Sequence, residues 1–218
     1  MRCCLFLFVI LLTSCKSSAE KKVSTSASYE INLPYFKDPD FTPIWIDDSD
    51  VALREFHTIA NFEFQNQHGN WISQNDVNDK IYIANFFFTS CTTVCPKMSK
   101  NLLGVQNVFL NDNRVKILSF SVMPWIDTVE RLGSYAAANN IDSTIWHLLT
   151  GDKNEIYKLA RESYFADEGF GKSVSDINDF IHTENFILID QKKRIRAIYN
   201  GTLPLETKRL IEDIKSLF

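Results

Sequence analysis

The sequence predicts one α/β domain in which a central mixed sheet carries helices on both faces. Strand and helix patterns alternate between residues 81 and 162, and a hairpin pattern and a last helix follow after residue 184. That order is typical of α/β folds. The 218-residue chain is 45% hydrophobic, which is enough apolar material for one sizeable core and excludes disorder over most of the length.

The first elements are an added N-terminal β-hairpin and a central strand. Residues 62–64 and 71–72 flank a polar stretch in which Gly69 supplies the turn. Residues 81–88 are almost continuously apolar, as expected of a strand that is buried on both faces of a sheet.

The later elements are predicted from the spacing of their apolar residues. Helices are predicted where apolar side chains recur every three or four residues, and strands where apolar and β-branched residues alternate or run together. The predicted elements are a helix over residues 95–110, a strand over 115–122, a helix over 128–139 that Thr128 caps, a strand over 146–149, a helix over 153–162, hairpin strands over 185–189 and 195–199, and a helix over 205–217. Residues 165–179 are predicted to form a loop.

The N-terminus has the layout of a secretory signal. Arg2 precedes an apolar run over residues 3–12, which is too short for a permanent membrane span of about 20 residues. Leu12-Thr13-Ser14-Cys15 resembles a bacterial lipobox. We therefore predict a lipoprotein signal peptide over residues 1–14 and a lipidated Cys15. An ordinary signal peptide and a cysteine-rich membrane anchor are the alternatives.

Residues 15–40 are predicted to join the lipidated cysteine to the domain as a flexible tether. Residues 16–28 are small and polar and have no periodic apolar face, and Pro34, Pro39 and Pro43 then punctuate an extended approach to the domain. The folded domain is then expected over residues 41–218, in the bacterial cell envelope on the periplasmic side of a membrane. The net charge is −4 and no long basic run occurs, so broad nucleic-acid binding is excluded.

Cys91 and Cys95 follow the strand over residues 81–88 and precede a helix, so both sulfur atoms lie on one helical face. A helix N-terminus favours the thiolate, which makes a thiol more nucleophilic and a better metal ligand. Three interpretations remain open: a structural disulfide, a dithiol redox pair and a soft-metal site. A disulfide across so short a loop stabilises a fold little.

Two sulfur atoms alone make an incomplete site for most metals, so we considered the four histidines as a third ligand. His57 and His68 are predicted to lie in solvated segments, and His147 lies in a short strand. His182 comes at the end of the predicted loop and before a strand, where a thioredoxin-like topology brings a loop to the cysteine helix. His182 is therefore the favoured ligand.

Four motifs together resemble those of the SCO/SenC family, over roughly residues 56–218. They are Cys91-x-x-x-Cys95-Pro96, Ser121-Val122-x-Pro124-x-x-Asp127-Thr128, Trp146-x-x-Leu149-Thr150-Gly151 and His182-Thr183. The resemblance implies a thioredoxin-like fold in which Cys91, Cys95 and His182 bind copper and Asp127 supports them. The family usually has Asp where this chain has Met123.

The resemblance implies a membrane-tethered copper chaperone for a respiratory cytochrome c oxidase. Its expected partners are the copper-accepting subunit of the oxidase and other copper or thiol-redox proteins. The residues agree, because two thiolates select Cu(I) and an added imidazole also permits Cu(II), whereas zinc would require a fourth ligand. The alternative is an enzyme, a thiol-disulfide oxidoreductase that keeps the cysteines of its partners reduced.

Overall fold

A seven-stranded sheet forms the centre of the structure, a computed structural model that describes residues 32–47, 49–166 and 183–218. The strands are β1 (Glu63–Asn66), β2 (Trp71–Ser73), β3 (Ile81–Phe87), β4 (Val115–Ser121), β5 (Trp146–Thr150), β6 (Asn185–Ile189) and β7 (Ile195–Asn200). Their order across the sheet is β2-β1-β5-β4-β3-β6-β7. β4 lies between β3 and β5 and is parallel to both, while the other neighbouring pairs are antiparallel. The predicted mixed sheet is confirmed.

The described residues form four α-helices, which pack on both faces of this sheet. They are α1 (Val94–Phe109), α2 (Val129–Ala138), α3 (Lys153–Glu162) and α4 (Pro204–Ser216). Alternate residues of β3 belong to different apolar clusters: Tyr82 shares one with Ile156 of α3, and Ile83 shares the other with Leu102 of α1 and Leu210 of α4. None of the helices in the described part of the chain is long and apolar enough to cross a membrane.

Two predicted local signals, the Thr128 cap and the Gly69 turn, act as expected. Thr128 caps α2, since its side chain accepts the backbone N–H of Arg131. Gly69 lies in the β1–β2 turn with φ of +76°, a conformation that glycine adopts without strain. Two 3-10 helices, Val51–Glu55 and Gln74–Val77, were not predicted.

The folded unit extends N-terminally of the predicted start at residue 41. Tyr35 and Ile44 form an antiparallel bridge, and Phe36 forms another with Ile195. Leu33, Tyr35 and Phe36 are buried. Residues 32–40 therefore belong to the domain. The predicted signal peptide, Cys15 and the rest of the predicted tether up to residue 31 lie outside the described residues, as do residues 167–182 with His182.

A buried ion pair holds this N-terminal segment to the hairpin of β6 and β7. Arg196 Nη1 lies 3.4 Å from Asp190 Oδ2, and both side chains are buried. The same guanidinium donates to the carbonyl oxygens of Leu33 and Pro34, at 2.7 and 3.1 Å. Asp190 Oδ1 accepts the backbone N–H of Lys192 and of Arg194. These contacts hold the N-terminal segment against the outer edge of strand β7.

Candidate metal centre

Cys91 and Cys95 lie where β3 ends and α1 begins, at the edge formed by the carboxyl ends of the parallel strands. The Cys91 N–H donates to the carbonyl oxygen of Phe88 at 3.2 Å, which closes a turn directly after the strand. Cys95 lies in the first turn of α1, and its backbone N–H donates to Cys91 Sγ at 3.3 Å. The structure therefore brings the two predicted cysteines together.

The two thiols have different surroundings. Cys91 is half-buried, whereas only 5% of Cys95 is exposed. Burial raises the pKa of Cys91, but the N–H groups of Cys95, Thr93 and Val94 outweigh it and lower that pKa to about 7. Burial raises the pKa of Cys95 to about 12, and the neighbouring sulfur of Cys91 adds to the rise. Near neutral pH the pair thus combines one reactive thiolate with one protonated thiol.

A cavity of about 300 Å³ opens beside both sulfur atoms. Its wall is mostly apolar and is formed by Phe86, Phe88, Cys91, Thr93, Val94, Cys95, Val122, Thr183 and Glu184. Thr183 and Glu184 come from the segment before β6, so the cavity joins the cysteine turn to that segment. His182 is bonded to Thr183 in the chain and lies outside the described residues.

Asp127 is fully buried and connects the cysteine turn to β4. Thr89, two residues before Cys91, donates its backbone N–H to Asp127 Oδ2 at 3.1 Å and its hydroxyl to Oδ1. Ser121 Oγ, at the end of β4, donates to Oδ2 at 2.6 Å. Arg131 Nε lies 3.6 Å from Oδ1 and donates to Thr89 Oγ1. Asp127 therefore fixes the turn that carries Cys91.

Met123 lies beside the same turn. Its Sδ is 3.9 Å from the hydroxyl of Ser90, the residue before Cys91. The Met123 N–H donates to Ser121 Oγ, and its carbonyl oxygen accepts the N–H groups of Ile126 and Asp127. The residue before Pro124 thus carries a thioether beside the turn that holds Cys91.

The three other histidines do not line this cavity. His57 contacts the carbonyl oxygen of Ser163 at 2.8 Å and packs on Phe165. His68 is exposed in the β1–β2 turn, and burial together with Lys116 lowers the pKa of His147 to about 4. Within residues 32–47, 49–166 and 183–218, no group of three or more His, Cys, Asp or Glu side chains is arranged to hold a metal ion.

Several residues that shape the site around the cysteines were not predicted from the sequence. Thr89, Ser121 and Arg131 surround Asp127, and Glu184 contributes to the cavity wall. Thr89 and Ser121 lie at the ends of two predicted strands, and that position was the available signal. Nothing in the local sequence distinguishes Arg131 from other exposed helix residues.

A profile of the SCO1/SenC family matches residues 51–218 of the chain. A similar protein is the SCO1 protein homolog of Bacillus subtilis (strain 168), which is 31% identical over 162 residues. That alignment covers 73% of this chain and 82% of the relative.

Solved structures of this family have the same fold. A SCO1/SenC family lipoprotein from Bacillus anthracis str. Ames has a TM-score of 0.64 at 31% identity, with 74% of this chain and 95% of that chain covered. BsSco, a member of the Sco family of cytochrome c oxidase assembly proteins with a disulfide switch, has a TM-score of 0.62 at 31% identity, covering 74% and 93%. Copper-bound ScoI of Bradyrhizobium japonicum shares the fold, with a TM-score of 0.58 at 23% identity and coverage of 74% and 99%.

Proposed function

The chain belongs to the SCO1/SenC family, and we propose that it is a membrane-tethered copper chaperone that helps to build the copper site of a respiratory cytochrome c oxidase. The observation that carries the proposal is the pair of sulfur atoms at the start of α1, beside a cavity whose other wall ends at Thr183. Copper is the cargo in this proposal. The partner is the copper-accepting subunit of the oxidase, as expected of a relative of an oxidase assembly protein.

The donor set fits copper better than other common metals. Two cysteine sulfurs are soft ligands that favour Cu(I), and the lowered pKa of Cys91 makes the thiolate available near pH 7. We propose His182 as the third ligand, because its neighbour Thr183 lines the cavity that contains both cysteines. Asp127 supports the site through Thr89 and does not bind the metal in this proposal.

A thiol-disulfide oxidoreductase is the second candidate function, and the unequal thiols favour it. The Cys91 thiolate would attack a disulfide of a partner and release one partner thiolate. Cys95 would then lose its proton and displace the second, which leaves a Cys91–Cys95 disulfide and a reduced partner. Both protein thiols lose their metal-binding form in that step, so copper binding and thiol exchange would compete.

Replacing His182 with Ala separates the two candidates. Cu(I) can remain on two sulfur atoms, so its affinity should fall only in part. Cu(II) prefers additional ligands, including nitrogen, and should be almost completely lost. The reduced wild-type and variant chains are titrated with each copper state while the sulfur-to-Cu(II) charge-transfer absorption is followed. His57→Ala is the matched control. Unchanged Cu(II) binding by His182→Ala would remove His182 from the site and favour the oxidoreductase.

We further propose that Cys15 carries the lipid anchor of a domain on the periplasmic side of a bacterial membrane. The lipobox-like segment supports this, and so does the similarity to a lipoprotein of the family. A lipoprotein carries several acyl chains, which anchor firmly. Cys15→Ser should release the folded domain from membranes in an alkaline wash, whereas Cys3→Ser should not. Variant protein that still sediments with membranes would indicate an uncleaved N-terminal helix.

A further inference from the structure

We infer that the Met123 thioether is a further ligand of Cu(I) at the Cys91–Cys95 centre. This inference rests on the proposed copper function. The structure describes two methionines, and they differ in their surroundings. Met98 is 1% exposed within the core, whereas Met123 is half-buried beside the cysteine turn. Met123 therefore does not serve only to fill the core, as Met98 does.

The backbone places Met123 directly after a residue that lines the cavity. The Val122 N–H donates to the carbonyl oxygen of Phe87 at 2.9 Å, so the chain beyond β4 runs beside the chain beyond β3. Val122 lines the cavity together with Cys91 and Cys95, and Met123 is the next residue. The Met123 carbonyl oxygen accepts two backbone N–H groups at 2.9 Å, which fixes the backbone at this point.

The Met123 side chain contacts the turn that carries Cys91. Met123 Sδ lies 3.9 Å from Ser90 Oγ, and Ser90 is exposed and precedes Cys91 directly. Methionine has three flexible side-chain bonds, so its sulfur can shift by a few ångströms at little cost. From this position the thioether can reach an ion held on Cys91.

The chemistry of a thioether makes this ligand selective. It is neutral and soft, so it favours Cu(I) over Cu(II), whereas an imidazole accepts both copper states. A carboxylate at the same position would favour harder ions. Met123 and His182 are therefore expected to support different oxidation states of the same ion, with the thioether adding to the affinity for the reduced one.

Met123→Leu keeps the apolar bulk and removes the sulfur. Cu(I) affinity, measured by competition with a chromophoric Cu(I) chelator, should fall about tenfold, the lower end of the effects seen when supporting residues of metal sites are changed. Cu(II) binding, followed by the charge-transfer absorption, should stay unchanged. This pattern differs from that expected for His182→Ala, which loses Cu(II) binding almost completely. Met98→Leu is the control, since it removes a methionine of the core and should leave both affinities unchanged.

X-ray absorption of the Cu(I)-loaded wild-type chain gives a test that needs no variant, with three sulfur neighbours expected instead of two. Two sulfur neighbours, or equal Cu(I) affinity of wild type and Met123→Leu, would overturn the inference and leave the copper function intact. Failure of the wild-type chain to bind Cu(I) through Cys91 and Cys95 would overturn both. Met123→Gln repeats the test if the leucine variant does not fold.

Discussion

The two ends of the central strands each hold a buried carboxylate, yet the carboxylates serve different tasks. Strand β3 separates these ends by about 20 Å, given its seven residues. At the carboxyl end of β3, Asp127 accepts hydrogen bonds from Thr89 and Ser121 and fixes the cysteine turn. At the other end, Asp190 pairs with Arg196, whose guanidinium holds the carbonyl oxygens of the N-terminal segment.

The two carboxylates differ in how far their arginine partners are exposed to solvent. Arg196 is buried, so its pairing with Asp190 is screened little by water. The side chain of Arg131 beside Asp127 is 47% exposed, and its ion pair contributes little. The Asp190 end thus stabilises the attachment of a segment, whereas the Asp127 end keeps a reactive turn in place and open to solvent. Changes at the two ends should have separable effects.

The largest expected effect is the difference in reactivity between the two thiols at the Asp127 end. Because the thiolate is the nucleophile, iodoacetamide should alkylate Cys91 faster than Cys95 by several orders of magnitude at neutral pH. The Cys91 rate should rise as the pH increases through about 7 and then level off, while Cys95 stays protonated up to about pH 12. Mass spectrometry of the alkylated peptides of the reduced chain measures both rates.

Cys95→Ser and Cys91→Ser isolate each thiol for this measurement. If the alkylation rate of Cys91 instead keeps rising until the pH passes the ordinary thiol pKa of 9.0, the N–H groups of α1 do not stabilise its thiolate.

The next largest effect concerns the Asp190 end. Arg196→Met should lower the free energy of unfolding by about 3–5 kcal/mol, because it leaves Asp190 buried without its cation. The carbonyl oxygens of Leu33 and Pro34 also lose their donor. Urea unfolding measures the loss. The pH dependence of Cys91 alkylation should not change, since that thiol lies at the opposite end.

Arg209→Ala is the matched control for this change. Arg209 pairs with Glu206 at 2.9 Å, but its side chain is 62% exposed, so removing it should cost less than about 1 kcal/mol. An Arg196→Met loss as small as that of the control would mean that the buried pair does not hold the N-terminal segment.

The smallest of the three effects is expected for Asp127→Asn. An amide replaces one of the two oxygens that accept from Thr89 and Ser121, so we expect a loss of about 1–3 kcal/mol in the free energy of unfolding. Hydrogen exchange at the Thr89 amide should become faster, which a purely global loss of stability would not produce selectively.

Asp142→Asn serves as the control, because Asp142 accepts the N–H and hydroxyl of Thr144 in an exposed turn. It should change stability by less than about 0.5 kcal/mol. Equal losses of unfolding free energy in the two asparagine variants would show that the hydrogen bonds of Asp127 do not hold the cysteine turn.

The sequence predicted the strands and helices well because their apolar spacing is strong. Strand β3 is buried at every position, and the predicted strand over residues 81–88 exceeds it by one residue. The segment around Tyr35 was not predicted, since its order depends on Arg196, which lies 161 residues further along the chain. Contacts across such distances leave no periodic pattern in either segment.

The site was predictable in part for a similar reason. Helical spacing predicted the pairing of Cys91 and Cys95; Cys91 in fact lies in the turn before α1, and the structure still brings both cysteines to one cavity. The contacts of Asp127 with Thr89 join two strand ends, and these require the strand order before they can be inferred. The role of Met123 depends on a single side-chain contact with Ser90, which no spacing rule contains.

The outer strands of the sheet have a consequence for association between copies of the chain. Strand β2 is only three residues long and runs directly into the 3-10 helix Gln74–Val77, so it offers a short row of free backbone groups. On the other side, the Phe36 N–H occupies the carbonyl oxygen of Ile195 at 3.1 Å. Long, flat and unpaired edge strands are templates for aggregation. Because one edge of this sheet is short and the other is partly covered, we expect copies of the chain not to assemble into fibres through these edges.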